Sequence, residues 1–156
     1  MNKDEVKGFY DWTAEELDTS IKLAGTVQEL EVAETSVGTW DDGRPHLDIS
    51  TRIVGGDYDG LFGPRHTLTL GESTFEARGK SVTVSLEQTV KTLVNFVNIV
   101  TDGRGVKLSN PNRYDAQMLE EIGSQLVGNH FISSIKENKK GYNAVSTAYS
   151  MSKPPK

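Results

Sequence analysis

His46-Leu47-Asp48-Ile49-Ser50-Thr51-Arg52-Ile53-Val54, then Gly55-Gly56-Asp57-Tyr58-Asp59-Gly60, then Leu61-Phe62-Gly63-Pro64-Arg65-His66-Thr67-Leu68-Thr69-Leu70, is the stretch that decides the fold. In the first run Leu47, Ile49, Thr51 and Ile53 alternate with His46, Asp48, Ser50 and Arg52, the period-two pattern of a strand with one buried face. The segment rich in glycine and aspartate supplies the positive φ angles and local side-chain hydrogen bonds of a tight reversal, so the last run should return as a strand against the first. There His66, Leu68 and Leu70 share one face, and Arg65, Thr67 and Thr69 share the other. The pair has an apolar inner face and an outer face of Arg, Thr, Ser and His.

Towards the N-terminus, residues 21–35 have the pattern of a long strand with a defect. Ile21, Leu23 and Val27 occupy odd positions and Leu30 and Val32 even ones, which predicts a bulge near Gln28-Glu29. Such a bend is what the first strand of a small closed barrel needs. Residues 36–45 form a loop with Asp41-Asp42-Gly43 turn chemistry and an isolated Trp40, either tucked against the domain or presented as a stacking surface. Residues 1–20 read as an acidic arm with one short helix, since Thr13 and Glu16 have capping-box spacing. This arm either docks on its own domain or covers a groove or recruits a partner.

Towards the C-terminus, residues 71–80 are a loop or irregular hairpin and 82–84 a brief extended piece. The period then changes: Leu86, Val90, Leu93, Val94, Val97 and Val100 recur at helical spacing, Ser85 and Gln88 make a capping box, and Asp102-Gly103 ends the run. Asn110-Pro111 breaks the chain, residues 115–123 suggest a short helix, 126–137 a strand, Lys139-Lys140-Gly141 a basic turn and 142–149 the last strand. Residues 151–156 read as a disordered basic tail. Three strands, a helical insertion and two more strands place the chain as mainly β, a five-stranded OB-fold barrel with helices between strands three and four, spanning residues 21–150.

A chain of 156 residues suits one domain. It has no cysteine, hence no disulfide framework or thiolate metal site, and no apolar run approaches the ~20 residues of a membrane span. A cytoplasmic protein is the expectation. The formal charge of −5 is unevenly spread: residues 1–20 carry −4, residues 136–156 carry +4.

Strand one, the 47–54 strand, the Gly56-Asp57-Tyr58-Asp59-Gly60 connection, the helix of residues 86–100, Gly128-Asn129-His130-Phe131 and Lys140-Gly141-Tyr142-Asn143 together resemble a family of phage-encoded OB-fold single-stranded DNA-binding proteins, long known only as a domain of unknown function. The likeness runs from about residue 20 to 149. It implies sequence-independent binding of single-stranded DNA in phage replication or recombination; phage or host proteins of those processes are candidate partners, and the size of the domain and its exposed barrel edges leave a homo-oligomer open. The first loop departs from the basic, glycine-rich pattern of such proteins in carrying Asp41-Asp42.

The histidines have no zinc spacing, Asp57 and Asp59 lack the later ligands of a calcium loop, and neither a nucleophile elbow nor a phosphate-binding glycine loop is present. A binder without catalytic residues, metal or cofactor is therefore expected. Its candidate nucleic-acid-binding residues are Trp40, Arg44, His46, Arg52, Tyr58, Phe62, Arg65, Thr67, Lys136, Lys139, Lys140 and Tyr142. Cations would meet phosphates, and aromatics would stack on bases. The alternative is a protein-interaction or virion structural module that uses the acidic arm.

Overall fold

A computed structural model describes residues 8–11, 13 and 22–155; the helix expected within residues 1–20 lies outside the described residues. Among the described residues seven strands and two helices follow in the order β1 (Val27–Thr39), β2 (Pro45–Val54), β3 (His66–Thr69), β4 (Ser73–Ala77), β5 (Lys80–Val84), α1 (Leu86–Val100), α2 (Ala116–Leu126), β6 (His130–Glu137) and β7 (Asn143–Tyr149). Five strands make one antiparallel sheet in the order β3-β2-β1-β6-β7, and β4 and β5 pair as a separate ribbon.

The alternation in β2 has the predicted outcome: Leu47, Ile49, Thr51 and Ile53 are buried. Buried Thr51 is satisfied by donating its hydroxyl to Pro64 O at 2.7 Å. After β2 the chain turns through a short 3-10 segment at Gly56–Tyr58 and comes back along it, with Ile53 N–H donating to Leu61 O at 2.8 Å and Gly63 N–H to Thr51 O at 2.9 Å. Gly63 is small by necessity, because a Cβ there would fall 2.5 Å from Thr51 Oγ1.

β1 begins at Val27, six residues later than its apolar pattern suggests. Leu23 is buried ahead of the strand and Val27 is exposed, so neither belongs to an inward row of β1. The register shift falls between Val32 and Glu34 instead of at Gln28-Glu29. It moves the inward row from Leu30 and Val32 to Val37, which packs against the core.

α1 has the predicted limits and cap: Ser85 accepts from Gln88 N–H, and Gln88 Oε1 accepts from Ser85 N–H. Its Leu93, Phe96, Val97 and Val100 are buried, with Phe96 edge-on to Phe131 at 5.5 Å between centroids. α2 runs past Gly123 to Leu126 and packs on β1 and β2, so β6 starts only at His130, after a turn in which Gly128 has φ 88°. After β7 a turn brings the Ser152 hydroxyl to Asp102, to which it donates.

The sheet is not closed into a barrel. Its edges, β3 and β7, meet at the single parallel bridge between Arg65 and Ala144 among the described residues. β3 is only four residues long and Pro64, which has no N–H to give, precedes Arg65, so a longer ladder is not propagated along this edge. α1 packs behind the seam on β3, β6 and β7.

Candidate nucleic-acid interface

The outer face of β2 and β3 has two ends. At the first, Trp40 donates its indole N–H to Thr69 Oγ1 at 2.9 Å and stacks on the His46 ring at 4.2 Å between centroids, while 44 % of its surface stays exposed. His46 lies flat because its cross-strand partner is Gly38, where a Cβ would fall 2.6 Å from the imidazole. Its side chain is only 12 % exposed, so it underpins Trp40 and does not project. Its Nδ1 is 3.3 Å from Asp48 Oδ2, without the alignment of a hydrogen bond, and Asp48 accepts from the Thr67 hydroxyl at 2.8 Å.

Arg44 pairs with the acid that departs from the resemblance. Its Nε is 2.7 Å from Asp42 Oδ2, and its backbone N–H donates to Asp42 Oδ1. That backbone bond, with the guanidinium beside it, holds the Asp42 carboxyl below the usual carboxylate range. The first loop thus offers the aromatic ring of Trp40 beside a neutralised arginine.

At the other end, Arg52 lies over the Phe62 ring, 5.1 Å from its centroid, and Phe62 is 66 % exposed. Tyr58 stands in the 3-10 turn just before it, also exposed. Arg65 then leads across the seam: Ala144 bridges to Arg65 and pairs with Lys136, so Arg65, Ala144 and Lys136 stand side by side on three chain segments. Gly63, Pro64, Arg65, Asn138, Tyr142 and Ala144 line a groove of about 160 Å³ there. Lys139 and Lys140 are exposed at the tip of the β6–β7 hairpin, whose turn is held by Asn138 Oδ1 accepting from Lys140 N–H and Tyr142 N–H at 3.0 Å each.

Along β2, His46 and Arg52 are separated by roughly 20 Å of strand. The two clusters are therefore separate, with the polar pair Asp48–Thr67 between them. The second collects Arg52, Tyr58, Phe62, Arg65, Lys136, Lys139, Lys140 and Tyr142 around the seam.

No family model and no curated protein matches this chain. Among the described residues no group of three or more His, Cys, Asp and Glu side chains is placed to hold a metal ion.

Two histidines sit in contrasting surroundings. His66 faces the seam beside Phe96, at 4.8 Å between centroids, and burial, helped by the Lys136 charge, pushes its pKa down. His130, on the outer sheet face with Arg52 and Lys136, lies between Glu29 at 2.7 Å and Glu31, the cross-strand neighbour of Arg52, at 3.1 Å. The hydrogen bond to Glu29, reinforced by Glu31 and opposed by partial burial, raises its pKa. No helix of the described residues is long and apolar enough to cross a membrane.

The β4–β5 ribbon also adjoins this face, and the sequence pattern for it was available. Phe75 and Ala77 alternate towards Arg78-Gly79, and Val82 and Val84 alternate after it; a two-residue X-Gly turn between alternating runs is a hairpin signal.

Proposed function

We propose that this chain is an OB-type, sequence-independent binder of single-stranded DNA whose surface is the outer face of β2 and β3 continued over the β6–β7 hairpin. The observation that carries the proposal is the cluster around the seam: an exposed Phe62 under Arg52, next to Arg65, Lys136 and Tyr142, with Lys139 and Lys140 beyond. Phosphate attraction and base stacking need those two residue types within reach of one strand, and they need no base-specific donor or acceptor. The strand order supports the OB-type reading, because a three-stranded meander joined through β1 to a final hairpin, with parallel contact between β3 and β7, is the Greek-key layout of that barrel. A role in phage replication or recombination remains part of the proposal through the resemblance.

The test is a titration of the protein into labelled oligo-dT of about 30 nucleotides at low and high salt, with duplex DNA and RNA of equal length as competitors. Salt-sensitive binding that prefers the single strand is the expected result, and Lys139→Glu with Lys140→Glu should weaken it several-fold. No binding even at low salt overturns the proposal and favours a protein-interaction module that uses the acidic arm.

A further inference from the structure

Among the described residues β4 and β5 pair with each other and with no third strand. Two-stranded ribbons are marginally stable in water and usually rest on an apolar surface. Here the register places Phe75 opposite Val82, Ser73 opposite Val84 and Ala77 opposite Lys80 on one face, with Thr74, Thr83, Glu76 and Ser81 on the other. Phe75 is 49 % and Val82 37 % exposed, so the apolar face meets solvent. At the tip Arg78 and Gly79 both take left-handed φ, 55° and 76°, and Arg78 and Lys80 are exposed.

The ribbon is rooted where the Trp40 end of the candidate interface stops. Leu70 N–H donates to Pro45 O at 3.0 Å, a Cβ on Gly71 would lie 3.0 Å from Arg44 Cγ, and Thr69 accepts the Trp40 indole N–H. With five residues to a strand the ribbon is about 17 Å long.

Resting on the single-strand reading above, we infer that the ribbon is a second binding element for the same strand: Phe75 stacks on a base, and Arg78 and Lys80 meet phosphates of the segment leaving the Trp40 end. Continuity with the face favours a nucleic acid here, as do two cations at the tip and a Phe75 face free of carboxylates. A second copy of the chain fits less well. One phenylalanine, with small neighbours, contributes about 150–250 Å², far below the ~1,200 Å² at which stable interfaces begin.

Two oligo-dT lengths test this, about 8 nucleotides for the sheet face alone and about 30 for face and ribbon together. Phe75→Ala should weaken binding of the longer strand about five- to tenfold and leave the shorter unchanged. Arg78→Ala with Lys80→Ala should lower the slope of log K against log salt by about 1.4 on the longer strand. If the wild type binds both lengths with salt sensitivity and both variants match it throughout, the ribbon inference fails while the parent reading stands. If the wild type binds neither, both fail. A dimer in sedimentation that Phe75→Ala abolishes, with DNA affinity unchanged, overturns the inference in favour of self-association.

Discussion

Gly123 lies inside α2, where glycine costs about 1 kcal/mol relative to alanine. Its reason is packing: a Cβ would fall 2.6 Å from Thr35 Oγ1 and 3.0 Å from Leu47 Cδ1, so glycine lets the helix approach β1 and β2 closely. Gly123→Val should therefore destabilise the protein by about 1–3 kcal/mol in urea unfolding. The two contrasting histidines make a second prediction. His130 has a folded pKa above its unfolded value, so its stabilisation is complete below the unfolded pKa of 6.5 and is lost as pH rises through the higher folded value. His66 has a depressed folded pKa, so its contribution is present above 6.5 and is lost as pH falls through the lower folded value. His130→Gln should leave His66 acting alone, making the variant lose stability steadily on acidification from neutral pH. Urea midpoints measured across that range check it, and a profile parallel to the wild type contradicts the Glu29–His130–Glu31 arrangement.

Among the elements, α1 owes its definition to local chemistry. Ser85→Ala leaves the Gln88 backbone N–H without its acceptor and should cost about 1 kcal/mol, read as a lower denaturation midpoint. The cap and the apolar stripe both lie within the helix's own residues, and for that reason its limits were legible in the sequence. β2 was legible for the same reason. The end of α2 was not, because Gly123 resembles a helix terminator in sequence and its packing role appears only with Thr35 and Leu47 in place. The bulge was displaced because Leu23 and Val27, which suggested the first phase, do not share a strand row. In the candidate interface, residue types were readable but pairings were not: Asp42 beside Arg44 and Gly38 beneath His46 depend on a turn and a cross-strand register.

For the whole molecule, the division of the interface by the Asp48–Thr67 pair has a measurable consequence. If one strand spans both clusters, Trp40→Ala and Phe62→Ala should each weaken binding to a 30-nucleotide strand, by roughly 1–3 kcal/mol for each stacked base, and nearly additively because the sites are far apart. Anisotropy titrations of the single and double variants check this. The open sheet itself was beyond the sequence, since alternation describes faces of strands and says nothing of how far two edges run together. The central position of β1 carries a different consequence, for synthesis. Its pairing with β2 is made by neighbouring residues, whereas Leu30 meets Phe131. On the ribosome, at about 5–20 residues per second, that side of β1 waits roughly 5–20 s for its partner. During that interval the β6–β7 hairpin of a second copy, released but not yet docked on its own β1, is a chemically equivalent partner, so this topology predicts strand exchange between copies as its route of misassembly.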